Sequence, residues 1–397
     1  MKIALVMAHG RVHQHVGGAP KIFFEMANEF SNYHEVLAIY SDNGAGEPLY
    51  QTQPNVKLVN LHVDKSVVRT KKAKVVREIV RGLNKTGIVK LNYDPVTSNQ
   101  QTLIGLALKP ELESFEPDVI ISFGHWDLVS ISDFYSGNAK VISSYHSDTN
   151  RFFPQLSKRE LNAHLRADLC QVLLKSYCSI VSEKINGRCE VIDIGNPIND
   201  FSGNANLSEK NIIYMARIEK NKQQDKLLSC FANIPSDLRV GWKIKLYGSD
   251  ASLTYKSSLL ALVKELGISD CVEFKGVTSD PEQALKQASI CAFPSLFEGF
   301  PLALSEAMSA GLPCVGYESC SGVNEIITHE NDGFLARDDS EFSLYLSKLM
   351  ASESLRSNMG KRAYQKISHY HPNVIWSIWA GVLKKYIPPM KENKIGK

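Results

Sequence analysis

Residues 293–308 read Phe293-Pro-Ser-Leu-Phe-Glu-Gly-Phe-Pro-Leu-Ala-Leu-Ser-Glu-Ala-Met308. Glu298 and Glu306 flank a run of seven residues. Between them the turn Gly299-Phe300-Pro301-Leu302 leads into a helix, with Ala303, Leu304, Ala307 and Met308 at helical spacing. The first N–H groups of a helix have no partner inside it, so such a start attracts an anion, a phosphate above all. One carboxylate before the turn and another about two turns into the helix can hold hydroxyl groups on either side of that phosphate. Sugar, diphosphate and ribose in a nucleotide sugar follow that order. Taken alone, the stretch also reads as a Gly-Pro turn opening an amphipathic helix with incidental charges.

Outward from this stretch, short apolar runs alternate with amphipathic segments. The first half offers strands at 3–7, 36–40, 56–61, 119–122, 140–144 and 179–182, and the second half at 211–215, 243–247, 272–275, 290–293 and 313–316. Helical patterns fall at 19–30, 159–174, 224–231, 253–266, 281–287 and 302–310. Continuous apolar strands separated by helices predict parallel sheets covered on both faces, and two such series predict two doubly wound α/β domains. The Gly, Asn and Pro of Ile194-Gly-Asn-Pro-Ile198 mark the boundary. The expected domains are 1–197 and 198–371, followed by a terminal helix and tail over 372–397.

The continuation of the opening stretch is Ala310-Gly-Leu-Pro-Cys-Val-Gly316, Ser321-Gly-Val-Asn-Glu-Ile-Ile327 and Asn331-Asp-Gly-Phe-Leu335. With Glu298-x7-Glu306, these resemble in order and spacing the retaining glycosyltransferases of the GT4 family, which have the GT-B fold. The resemblance implies two Rossmann-like domains facing a central cleft. It implies a donor site on the second domain, an acceptor site on the first, and a terminal helix that crosses back to the first domain.

Three more segments fit that family. Asn211-Ile-Ile-Tyr-Met-Ala-Arg217 is a strand ending in arginine, and Lys222 follows five residues later. Ligands bind at strand carboxyl ends in parallel sheets. Arg217 and Lys222 resemble the pair that holds the diphosphate, although Ala216 and Gln223 stand where relatives usually have glycine. A planar guanidinium fork and an ammonium point charge suit the negative charge that grows on a departing nucleoside diphosphate. The helix start at Gly299, Phe300, Pro301 and Leu302 adds about half a positive charge. Fixed cations of this kind can replace a divalent metal; no metal and no cofactor is expected, and no D-x-D element resembling a metal site is present. Gly17-Gly18 after the first strand resembles the family's glycine pair, which implies that Gly18 approaches the diphosphate. Val272-Glu-Phe-Lys-Gly276 resembles the strand and turn before the nucleobase site, which places Thr278 there through backbone groups. Such contacts leave the base unread; the resemblance implies uridine most often.

The same resemblance implies that Glu306 binds ribose hydroxyls and that Glu298 binds hydroxyls of the transferred sugar. It also implies that His146 touches donor sugar or acceptor, while His125, also at a strand end, is a candidate for the acceptor cleft. His9, His13 and His15 crowd the first loop and read as a polar loop, with a metal site as the rarer alternative.

The formal charge of +3 over 397 residues is too small to predict nucleic acid as a partner. None of the eight cysteines forms a C-x-x-C pair, so reduced thiols in a cytosolic protein are expected. Ile3–Ala8 is too short for a signal-peptide core and reads as a first strand. The segment Lys65–Lys90 interleaves nine basic residues with Val67, Val68, Val75, Val76, Ile79, Val80 and Leu83 against one acid, Glu78. It reads either as a solvated charged helix or as a helix lying on anionic lipid, on the inner face of the plasma membrane. The expected activity is metal-independent, retaining transfer of a sugar from a nucleotide-sugar, UDP-linked for preference, to a glycan or lipid-linked acceptor. It belongs to the building of cell-surface polysaccharide, lipopolysaccharide or glycolipid. A GT-B synthase of a small soluble glycoside, and a catalytically silent glycan-binding subunit, remain as alternatives.

Overall fold

The computed structural model describes residues 1–13, 17–63, 70–86 and 94–386. The chain divides into two compact units, 1–194 with 376–397, and 195–375.

In the first unit the strands are β1 (Lys2–Met7), β2 (Glu35–Tyr40), β3 (Val56–Asn60), β4 (Val119–Ser122), β5 (Lys140–Tyr145), β6 (Leu169–Val172) and β7 (Glu190–Asp193). They form one parallel sheet in the order β3-β2-β1-β4-β5-β6-β7. Successive strand residues face opposite sides. Ala4, Val6, Leu37, Ile39 and Ile120 meet Ile104, Leu108, Leu112 and Phe115 of the helix Pro95–Phe115 in one buried cluster. Asp94 caps that helix by accepting from the N–H groups of Val96 and Thr97.

The second unit holds β8 (Asn211–Met215), β9 (Lys243–Tyr247), β10 (Val272–Gly276), β11 (Ile290–Phe293), β12 (Cys314–Tyr317) and β13 (Gly333–Ala336). Its order is β10-β9-β8-β11-β12-β13, again parallel throughout. Both units are thus doubly wound α/β folds of the GT-B type.

Several sequence expectations need correction. Residues 179–182 are not a strand; they belong to the helix Lys175–Lys184. Tyr177, Val181 and Ile185 are fully buried at four-residue spacing, a helical period that outweighs the local run Ile180-Val181. The helix expected over 159–174 stops at His164, and Leu169–Val172 is β6, buried at every position. There the apolar run of a buried strand continues a helical pattern without a break. β7 has only two apolar residues and β13 is a four-residue strand that opens on Gly333, so neither stands out from sequence; β13 needs that glycine because a Cβ there would lie 2.5 Å from the Cys314 carbonyl oxygen. Asp338 and Asp339 are exposed. Asp338 caps the helix Asp339–Ala351, and Asp339 accepts from the Tyr317 hydroxyl at 2.7 Å and from Lys226.

Candidate active site

At the carboxyl edge of the second sheet, three strand ends are tied into one platform. Ala216 N–H donates to Tyr247 O, Ile218 N–H to Ser249 O, and Gly248 N–H to Gly276 O, at 2.8–2.9 Å. Gly248 has φ +142, and a Cβ there would lie 2.1 Å from Ala216 O. Only glycine allows this approach, which fixes the backbone from which Arg217 projects. The Arg217 guanidinium donates to Glu219 Oε1 at 2.9 Å, while its carbonyl accepts from the buried Gln224 side chain at 2.8 Å.

Lys222 ends the short 3-10 turn Lys220–Lys222, with Gln223 left-handed at φ +49 behind it. This turn is laced to the segment after β11. Leu296 N–H donates to Asn221 O at 2.9 Å, and Asn221 Nδ2 donates to Phe297 O at 3.3 Å. Beneath them the buried Tyr214 hydroxyl donates to Lys222 O at 2.9 Å and accepts from Ser295 Oγ at 2.8 Å. Burial pushes the Tyr214 phenol well above its ordinary range, and the Glu298 charge adds to that, so it stays a donor.

Glu298 is held from the other side, its N–H donating to Ser321 O at 3.1 Å. Gly322, at φ +87, lets the next turn pass close, since a Cβ there would lie 2.9 Å from Glu298 O. The result of both arrangements is one contact: Lys222 Nζ lies 2.7 Å from Glu298 Oε1, with both side chains mostly covered. Gly299 leads to Phe300, which is buried edge-on against Tyr370, and then to Pro301. The helix Leu302–Ser309 starts there without a side-chain cap. Glu306 is half-buried on this helix. Thr278 is half-buried in the turn after β10, where its hydroxyl accepts from Asp280 N–H.

In the first unit, Gly18 is the exposed first residue of the helix Gly18–Ser31. His146 follows β5, stacks flat on Phe123 with ring centres 4.6 Å apart, and bonds to Ser144 Oγ at 2.8 Å. Burial pushes its pKa down to about 4. His125 opens the helix His125–Phe134, near Trp126 and Tyr145, with Nε2 3.4 Å from Glu160 Oε1. Burial lowers its pKa against the opposing pull of Glu160. His9 is no loose loop residue: its ring Nδ1 bonds to the buried Asp127 at 3.0 Å. His13 bonds to Tyr40 and to Gly44 O, and His15 lies outside the described residues.

Residues 196–366 match the family described as glycosyl transferases group 1. An amylovoran biosynthesis glycosyltransferase of Erwinia amylovora is 23% identical over 380 residues, covering 92% of this chain and 96% of that protein. The second unit of this chain is a GT4-type glycosyltransferase domain. Two further relatives match the glycosyltransferase over shorter spans. An exopolysaccharide phosphotransferase of Streptomyces coelicolor is 32% identical over 182 residues, 45% of this chain and 19% of that protein. A Campylobacter jejuni transferase named for adding N-acetylgalactosamine to a diphospho-undecaprenol-linked sugar is 28% identical over 182 residues, 44% of this chain and 48% of that protein. Among solved structures, HepE from Anabaena in complex with UDP and glucose superposes with a TM-score of 0.68 at 15% identity, covering 97% of this chain and all of that one.

The structure of the glycosyltransferase joins Lys222 to Glu298 directly. Arg217 and Thr278 stand on the same sheet edge. Sequence reasoning missed Tyr214, Asn221 and Glu219, which hold the two cations in place. A tyrosine inside the apolar strand β8 was the visible signal for the first. Of the basic segment, Lys65, Arg69 and Lys90 lie outside the described residues; the helix Lys71–Lys85 leaves Val75, Ile79 and Leu83 exposed at 60%, 57% and 44%. Among the described residues no helix is long and apolar enough to cross a membrane.

Proposed function

We propose that this glycosyltransferase moves a sugar from a UDP-sugar, with retained anomeric configuration and no divalent metal, to a glycan or lipid-linked acceptor of cell-surface polysaccharide or glycolipid. The observation that carries this reading is the Lys222–Glu298 pair, held at 2.7 Å one short turn before the uncapped helix start. An ammonium group has three donors, so Lys222 can keep one on Glu298 while others meet a diphosphate oxygen. Glu298 then lies beside the sugar that the diphosphate carries. Arg217 and the N–H groups at Gly299–Leu302 share the charge of the leaving group. Glu306 takes ribose hydroxyls, and backbone groups at Thr278 take the base. Gly18 is assigned to the diphosphate, and His146 and His125 to the acceptor.

In the chemical step the acceptor oxygen bonds to the anomeric carbon while the bond from that carbon to the diphosphate oxygen breaks. Departure and attack on the same face retain configuration, and the leaving phosphate takes the acceptor's proton. The UDP and glucose bound to HepE, and the lipid-linked substrate in the name of the Campylobacter relative, support the two substrate classes. The basic helix with its exposed Val75, Ile79 and Leu83 supports a cytoplasmic enzyme that rests on anionic lipid.

Incubation with UDP-, GDP- and ADP-sugars in the presence of EDTA tests the donor and the metal. Sugar release from a UDP-sugar under EDTA is the expected result. Activity that returns only with added magnesium or manganese ends the metal-independent reading, and an inverted anomeric signal in the product ends retention. Flotation with phosphatidylglycerol vesicles against phosphatidylcholine vesicles tests the membrane; equal flotation in both removes it.

A further inference from the structure

Cys170 and Cys189, 19 residues apart in the chain, bring two thiols together at the edge of the first sheet, with their Sγ atoms 3.4 Å apart. Cys170 lies within β6 and is 2% exposed; Cys189 is half-buried in the bend just before β7. β6 and β7 run parallel in the register Leu169–Glu190, so Cys189 falls opposite Asp168, on the face that Cys170 shares. A second pair provides a contrast. Cys291 and Cys314 are register partners on β11 and β12, but both are covered, at 2% and 0% exposed. A reactive thiol needs both thiolate character and access.

The two sulfurs are not equivalent. The Cys170 S–H donates to Cys189 and lowers the Cys189 pKa, against burial and the charge of Asp168, which raise it. Asp168 is itself committed to Lys140 Nζ and to the N–H of Val141, each at 2.8 Å. The same sulfur–sulfur bond, and burial after it, raises Cys170. The thiol nearer solvent is thus the one that ionises, and the covered thiol keeps its proton. A disulfide holds its sulfurs at about 2.05 Å, so the pair must close by roughly 1.4 Å. The chain before Cys189 has room for that movement. Asn186 and Gly187 are left-handed at φ +52 and +63, and a Cβ on Gly187 would meet nothing within 4 Å.

We propose that Cys170 and Cys189 form an oxidisable dithiol, a modification site at which hydrogen peroxide makes a reversible disulfide that staples the edge strand β7 to β6. The Cys189 thiolate attacks one peroxide oxygen; the O–O bond breaks and hydroxide leaves. The Cys170 sulfur then attacks the sulfenic acid so formed. The S–S bond forms, the S–O bond breaks, and the Cys170 proton leaves with that hydroxide as water. The two thiols together lose two electrons and two protons, and the peroxide is reduced to two waters. A dithiol reverses the change by exchange through a mixed disulfide. The site lies wholly in the first unit, and the inference is independent of the donor and acceptor assignments.

Brief treatment of the folded full chain with hydrogen peroxide, then blocking of free thiols, tryptic digestion and mass spectrometry, reads the bond directly. Cleavage after Arg166, Lys175, Lys184, Arg188 and Lys210 leaves Cys170 on the peptide 167–175, Cys178 on 176–184 and Cys189 on 189–210. The expected product joins 167–175 to 189–210, two hydrogens lighter than their sum and separated again by dithiothreitol, with 176–184 recovered as a blocked free thiol. A bond from Cys189 to Cys178, recovery of Cys170 and Cys189 as free thiols while other cysteines oxidise, or a bond that forms only after unfolding in urea would overturn the proposal. Cys170→Ser should stop at a sulfenic acid on Cys189 that dimedone traps. Cys189→Ser should leave Cys170 unmodified in the folded chain, and it serves where the buried variant fails to fold. Dimedone capture of Cys170 in that chain would reverse the two roles and overturn the assignment. Amides of Glu190–Asp193 should exchange hydrogen several-fold more slowly in the oxidised chain; an unchanged rate would overturn the staple.

Discussion

The carboxyl edge of the second sheet presents Arg217, Lys222, Glu298 and Glu306; that of the first presents His9, His125 and His146. The underlying connectivity is the same. Counted from its own first strand, the second sheet runs 3-2-1-4-5-6, and the first runs 3-2-1-4-5-6-7. One edge carries full charges, cation against carboxylate. The other carries imidazoles set among aromatic rings, and burial depresses the pKa values of His125 and His146. The sheet supplies a place where backbone ends and loops converge; the loops alone decide whether that place suits a diphosphate or uncharged hydroxyls.

The comparison predicts different sensitivities for the two edges. The largest concerns acid. Burial pushes His164, which packs on Phe153, down to about 4, against the bond its ring Nδ1 donates to the Glu160 carbonyl, which raises it. An unfolded histidine titrates near 6.5. Above that pH both states are neutral and the fold loses nothing. As pH falls from 6.5 towards 4, only the unfolded chain takes up the proton, so stability declines by up to about 3 kcal/mol. Denaturation midpoints at pH 7.5 and 4.5 measure this, and His164→Gln should flatten the decline. An unchanged acid loss in that variant would place the sensitivity elsewhere.

Lys222→Ala comes next. It removes a charge-assisted bond of roughly 1.5–3 kcal/mol, so kcat/KM for the donor should fall about tenfold to over a hundredfold. Normal turnover would show that the leaving group binds elsewhere. Gly322→Ala should lower stability by about 1–2 kcal/mol, the strain of a side chain at positive φ, and lower activity with it because the turn presses on Glu298. A thermal melt and a donor-hydrolysis assay read the two effects. Tyr214→Phe is the mildest: it leaves the ring and takes the bond to Lys222 O, so kcat should fall by several-fold to about tenfold with the melting temperature little changed. A large stability loss without a catalytic one would make Tyr214 a core residue only.

What the sequence disclosed follows physical lines. Buried central strands such as β1, β4, β8 and β11 are unbroken apolar runs and were read directly. Edge strands β7 and β13 are half-exposed or begin on glycine, so no period marks them. Residues 169–182 were misread because a four-residue strand and a short helix are both apolar over that length. In the site, Glu298, Glu306, Arg217 and Lys222 were legible because their spacing in the chain is regular. Tyr214–Ser295 and His9–Asp127 were not, since these partners stand 81 and 118 residues apart and only folding joins them.

The helix Pro372–Lys384 has an implication for synthesis. From Trp376 onward it belongs to the first unit, where Trp376 and Trp379 meet Phe30 edge-on and Lys385 pairs with Glu190. When residues 1–194 have left the ribosome they therefore still lack part of their own interior. They wait, with Phe30 missing its two indole neighbours, until the whole second unit and Trp379 have been translated.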